Sequence, residues 1–306
     1  MSGLPIGRLI DASRPSRWQA VRDLFRRAVP DADAVARFVG AFTAVKPPAP
    51  AVRLTTSVHT LTVAPPGAGK STGLVVPFLR ECPDSGVVLD VKGELYRLTH
   101  ASRLAMGHAL HVLDPWQVVT RQPATLNPFD WEDPSDPAAL DFARDLAESV
   151  VVRTARDEPH WPDMAELFIG GAAAAVLTFA AEGRCHLGTV CNILADRGQL
   201  DQTVQALQES PAWDGILARI GHQMSRAGSE EIESVLSTSN RMLRFMSSPA
   251  VASSLAASTF DPADVWKRRC TVYLMIPAQH LRPNAGLLRL WLSTFHRAVL
   301  RRGVRE

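Results

Sequence analysis

The spacing of apolar residues changes along this chain and divides it. Over residues 12–28, A-S-R-P-S-R-W-Q-A-V-R-D-L-F-R-R-A, Trp18, Val21, Leu24 and Phe25 recur at helical intervals among arginines, which predicts an amphipathic basic helix. A solvated arginine face accounts for it more simply than a specific DNA or lipid contact. The stretch K-P-P-A-P-A at 46–51 breaks regular structure and reads as a linker.

From residue 58 the pattern becomes short apolar runs: V-H-T-L-T-V at 58–63, G-V-V-L-D at 86–90 and A-L-H-V-L-D at 109–114, with a helix expected after Lys70. Apolar strands joined by crossovers predict a parallel sheet covered on both faces, hence α/β architecture. Between about 138 and 265 the strand signal gives way to successive helix-period segments with turn residues at Gly183, Gly198, Pro211, Gly228 and Pro249. The β-type run T-V-Y-L-M-I returns at 271–276, and a final amphipathic helix follows it.

Composition narrows the class. A chain of 306 residues, 46% hydrophobic, can bury the core of one large or two ordinary domains. With 33 Lys plus Arg against 31 Asp plus Glu, the net charge of +2 does not announce a nucleic-acid binder. Lysine occurs only at 46, 70, 92 and 267, so Lys70 and Lys92 stand out in an arginine-rich chain. The scattered Cys82, Cys185, Cys191 and Cys270 fit a reducing compartment. C-H-L-G-T-V-C at 185–191 lacks a second ligand pair with zinc-site spacing, so buried thiols are the expectation there. The longest uncharged apolar stretch, 167–181, is short of the ~20 residues that span a bilayer, and a soluble, cytoplasmic chain is expected.

The candidate chemistry lies in A-P-P-G-A-G-K-S-T at 64–72. A phosphate loop requires G-x-x-x-x-G-K-[ST], and here Ala64 stands at the first glycine while Gly69, Lys70 and Ser71 complete the pattern. The expected phosphate-binding residues are Pro66, Gly67, Ala68, Gly69, Lys70, Ser71 and Thr72. Backbone N–H groups turn toward phosphate oxygens, Lys70 reaches the β and γ phosphates, and the Ser71 hydroxyl ligates Mg2+. Lys70 is the candidate catalytic residue, with ATP and Mg2+ as cofactors. Ala64 is tolerable provided its φ is negative. Pro77 inside the following helix should kink it.

Asp90, at the end of V-V-L-D-V-K-G-E, has the form of a magnesium-binding strand end. It falls on the strand directly after the first helix, which favours a strand-end polar role over primary metal acid.

The run H-T-L-T-V-A-P-P-G-A-G-K-S-T-G-L-V-V-P-F-L, then V-V-L-D-V-K-G-E-L-Y-R-L-T, H-V-L-D-P and L-N-P-F-D at 126–130, resembles successive motifs of the TraG-type coupling proteins, the hexameric ATPases of type IV secretion and conjugation. Pro77 is typical of that family's helix. P-S-R-W-Q-A-V-R-D-L at 15–24 is similar to the segment that follows its membrane anchor, and F-D-P-A-D-V with T-V-Y-L-M-I-P at 260–277 resembles the strand returning to its core.

The resemblance implies a P-loop NTPase (RecA-like) parallel-sheet core with an inserted all-α domain. Its division would be an N-terminal helix and linker at 1–50, a nucleotide-binding core at 51–137 and 266–306, and the all-α domain at 138–265. It also implies partners: single-stranded DNA or a relaxosome substrate, secretion-channel proteins and a homo-hexamer. Relatives are anchored in the inner membrane and carry, after the last helix seen here, an apolar strand ending in Asp-Glu, followed by a sensor glutamine and a trans-acting arginine. Without those groups the expectation is nucleotide binding with deficient hydrolysis, unless Asp90 or Glu94 substitutes. A non-catalytic interaction protein and a small-molecule kinase are the competing readings.

Overall fold

The apolar runs at 86–90, 109–114 and 271–276 form strands, whereas the run at 58–63 shows none over its described part, 60–63. The computed structural model describes residues 4–8, 21–22, 34–36, 38–39, 51–54, 60–136, 138–153 and 158–305, in two units, 1–82 and 83–306. The basic helix expected at 12–28 lies outside the described residues except for Val21 and Arg22, which are helical.

In the first unit, β1 (Leu4–Arg8) pairs antiparallel with β2 (Ala51–Leu54), from Leu4 opposite Leu54 to Arg8 opposite Ala51. The linker expected at 46–51 therefore ends one residue early, because Ala51 follows the last proline and is free to pair. Leu61 and Val63 have strand composition but are 88% and 85% exposed, and no ladder partner satisfies their backbone among the described residues. Helix α1 (Val76–Glu81) closes this unit's described part.

The second unit is built on β3 (Gly86–Asp90), β4 (Ala109–Leu113) and β5 (Cys270–Met275), parallel and in the order β3-β5-β4. The last strand in sequence is thus the middle one, with Val88 opposite Tyr273 on one side and Val112 opposite Tyr273 on the other. All six residues of β5 are buried, as expected of a strand covered on both faces. Edge strand β3 departs from that expectation, since Val87 and Leu89 remain 36% and 40% exposed.

Helix α2 (Glu94–Ala105) connects β3 to β4. Between β4 and β5 the described residues 114–136 carry no helix or strand, and helices follow: α3 (Ala139–Val150), α4 (His160–Phe179), α5 (Leu187–Ala195), α6 (Arg197–Glu209), α7 (Ile216–Met224), α8 (Ser229–Met242), α9 (Pro249–Ser254) and α10 (Asp264–Lys267). After β5 come α11 (Ala278–Leu281) and α12 (Ala285–Arg305).

Helix α4 has 20 residues, longer than the uncharged stretch alone indicates, because it starts at His160 and carries Asp163 and Glu166 in its early turns. It is long and apolar enough to cross a bilayer, yet most of that apolar window is buried, packed on α3, α5, α7 and α8. An all-round apolar helix enclosed by amphipathic ones is the central member of a bundle.

Arginines of α12 tie it to α3. Arg289 donates to the carbonyls of Ser149 and Val150 at 2.8 and 3.2 Å, a cation at a helix C-terminus. Arg297 donates to the Ala138 carbonyl at 2.8 Å and to Asp145, and with Arg301 it grips the fully buried Glu132 carboxylate. Burial nevertheless pushes the Glu132 carboxyl up against the pull of both guanidiniums.

At the amino ends of the strands, buried Arg103 donates to Thr271 Oγ1 at 2.8 Å and to the Asp84 carbonyl at 2.6 Å, and lies 3.2 Å from His108 Nδ1. Burial, then the Arg103 charge, lowers the pKa of His108; burial likewise lowers that of His111, which stacks on Phe260 at 4.0 Å. A histidine held neutral when folded leaves the unfolded chain to take up protons first as pH falls below about 6.5, so the stabilisation is present above that pH and lost on acidification. The urea midpoint should therefore drop between about pH 7.5 and 5.5, and His108→Gln should flatten the drop. A midpoint that stays level or rises on acidification would contradict this.

Candidate functional site

Residues 64–72 form a tight loop that opens directly into a helix. Gly67 and Gly69 have φ of 77° and 80°, the left-handed conformation in which a side chain is strained and glycine is not. The Ala68 N–H donates to the Pro65 carbonyl at 3.3 Å, closing the turn. Lys70 Nζ reaches back across the loop to the carbonyls of Ala64 and Pro65 at 2.5 and 2.9 Å. Ala64 keeps a negative φ, so the condition on its replacing glycine is met. Residues 65–69, Ser71 and Thr72 are exposed; Lys70 is half-buried. The Gly73 N–H in the first turn of the following helix donates to the Gly69 carbonyl at 2.7 Å, joining the helix start to the loop.

Pro77 does not kink a continuous α-helix. Ser71–Val75 is a π-helical turn whose last bond runs from the Val76 N–H to the Ser71 carbonyl, and α1 begins only at Val76. Pro77 thereby falls in the first turn of α1, the position where a missing N–H is best tolerated.

Asp90 belongs to the second unit, at the carboxyl end of β3. It is buried, and its two oxygens accept the N–H groups of Lys92 at 3.2 Å and Tyr96 at 2.9 Å, so it fastens the loop 91–93 onto the start of α2. Asp114 does the same after β4 and more completely. Its buried carboxylate accepts from Val118 at 2.9 Å, Val119 at 2.8 Å and Thr120 at 3.2 Å. The motif H-V-L-D-P contains Asp114, but its spacing gave no role to it; the legible signal was an aspartate leaving a strand into a turn.

These two loops lock together. Arg97 donates to the carbonyls of Lys92 and Val118 at 3.1 and 3.2 Å. Gly93, at φ 72°, sits where a Cβ would lie 2.4 Å from Val119 Cγ1. On the far side, Trp116 stacks on His280 with ring centroids 4.9 Å apart and planes 4° from parallel, joining the β4 loop to the β5 loop. The carboxyl edge of the sheet, where open α/β folds bind ligands, is therefore a rigid rim.

Residues 25–304 match the family described as type IV secretory system conjugative DNA transfer. Protein VirD4 of Agrobacterium fabrum is 31% identical over 241 residues, 76% of this chain and 34% of that protein. Conjugal transfer protein TraG of Escherichia coli is 29% identical over 231 residues, 72% of this chain and 36% of its own length. The chain thus spans about a third of the length of the curated relatives it matches. A solved bacterial conjugative coupling protein, TrwB, aligns at 15% identity with a TM-score of 0.45, covering 72% of this chain and 52% of that one, too loose a likeness to carry a structural argument.

The interlocked loops make a quantitative prediction. Gly93→Ala should cost about 3 kcal/mol, from left-handed strain plus collision with Val119. Gly107→Ala, at φ 82° with nothing within 4 Å, should cost only the strain, roughly 1–2 kcal/mol. Denaturant unfolding of both variants checks this, and equal losses would refute the interlock.

Proposed function

Because this chain belongs to the type IV secretory system conjugative DNA transfer family, we propose that it is the nucleotide-binding part of a coupling ATPase that drives DNA or DNA–protein transfer. The observation that carries the reading is the loop at 64–72: two glycines at positive φ, a lysine folded over the loop, and a helix N-terminus behind it.

In this reading Pro66, Gly67, Ala68 and Gly69 wrap the phosphates of ATP, and Lys70 leaves its carbonyl partners to reach the β and γ phosphates. The Ser71 hydroxyl meets Mg2+, with Thr72 beside it. These groups supply phosphate binding and charge compensation. A solved form of TrwB is described as a complex with ADP and Mg2+.

Asp90 enters as a loop anchor. Its oxygens hold the N–H groups of Lys92 and Tyr96, which orients the carboxylate toward the loop rather than toward a ligand. The strand-end acids Asp90 and Asp114 are both held by backbone N–H groups, which favours a structural role for them over that of a base for water and agrees with a chain that binds nucleotide but turns it over slowly on its own. The helical segment between β4 and β5 acts as the inserted all-α domain, the chain works on the cytoplasmic side of a secretion channel, and it assembles with further copies of itself, as a hexamer in the family's manner. Its transfer partner is single-stranded DNA or a protein-bound form of it.

Binding of Mg–ATP to the purified chain, measured calorimetrically, should weaken at least about tenfold in Lys70→Ala, the loss expected when a charge-assisted phosphate contact is removed. Equal affinity in the two proteins would remove the site.

A further inference from the structure

The carboxyl edge of the second unit's sheet has an unusual charge pattern. Between Asp114 and Asp130, and again between Asp264 and Glu306, the sequence contains no Asp or Glu. Residues 115–129 after β4 and the loop after β5 therefore carry no carboxylate, Asp114 before them is buried and accepts three N–H groups, and the next acids, Asp130 to Asp136, come at the end of the β4–α3 connection. What faces outward is cationic. Lys92 and Arg97 are exposed on the β3 side, Arg121 after the β4 loop and Arg282 after α11. Glu94, exposed at the start of α2, is the opposing acid on the β3 side.

Set into this cationic rim is a flat aromatic pair. Trp116, half-buried, stacks in parallel on His280. The neighbouring Gln117 is exposed and held at φ 54°, a strained conformation for a residue with a side chain. The strain persists because the Asp114 cradle fixes the next three residues and Arg97 fixes the Val118 carbonyl. The backbone of the rim is held before any partner arrives, so binding has chiefly the exposed Lys92 and Arg121 side chains to order.

We propose that this rim is a contact site for single-stranded DNA, with an unpaired base stacking at Trp116–His280 and the phosphates tracking Lys92, Arg97 and Arg121. The assignment rests on the DNA-transfer reading above and adds to it the residues that touch the strand. A cationic track interleaved with aromatic rings is the chemistry that binds single strands regardless of sequence. Duplex bases are already stacked on one another and cannot occupy the platform.

The test uses the full chain and a fluorescein-labelled oligonucleotide of about twenty thymidines, read by anisotropy, with Mg–ATP affinity measured in parallel. Trp116→Ala should weaken DNA binding roughly fivefold or more, while Trp116→Phe, which keeps a ring, should retain most of it. Arg121→Ala, an exposed change, should make the salt dependence shallower by about one unit of slope. ATP affinity should be the same in all three. Wild-type binding that is unchanged in every variant overturns this site and leaves the DNA-transfer reading standing. No oligonucleotide binding by the wild-type chain overturns both. Loss of ATP affinity in Trp116→Ala with DNA binding intact reassigns the platform to the nucleotide base.

Discussion

Every residue of Cys270–Met275 is buried, so the backbone N–H and C=O groups of β5 must find partners on neighbouring strands. They find them on both sides, in β3 and in β4, which do not pair with each other. The second unit's sheet therefore exists only once the strand at 270–275 has slotted between two that precede it by more than 150 residues. The helical segment in between is the loop that this pairing closes, and its entropy is offset by burial along all of β5. The arginines of α12 on α3 and of α2 on Thr271 hold the same closure from two other directions.

That closure also creates the carboxyl edge of the sheet. Parallel strands put their carboxyl ends together, so the loops after β3, β4 and β5 meet wherever β5 is seated. Two buried aspartates then turn those loops inward, removing negative charge from the rim while giving it stiffness. In the first unit the same economy appears differently: the loop at 64–72 is shaped by glycines and by the Lys70 ammonium rather than by carboxylates.

Much of this was legible in the sequence. Uninterrupted apolar runs marked β3, β4 and β5 to within a residue, and the glycine-lysine-serine pattern marked the loop. The α/β class followed from those runs and from the family resemblance, and the family match bears that resemblance out. Strand order was not legible, because nothing local to 270–275 says that it lies between 86–90 and 109–113. The run at 58–63 misled because apolar composition states what a strand would bury and not whether a partner is there to receive it. Pro77 misled because helix periodicity does not distinguish a π turn from an α turn. Asp114, Arg97 and Trp116 passed without a role because their partners lie in other loops or are backbone atoms, which sequence spacing does not encode.

The central claim, that residues 64–72 hold a nucleotide, is tested most directly by hydrogen–deuterium exchange with and without Mg–ATP. The account predicts slowed exchange in peptides covering 64–75, where backbone N–H groups would turn onto phosphate. Unchanged exchange there at saturating Mg–ATP, or protection appearing only in peptides covering 91–97 and 114–121, would contradict it.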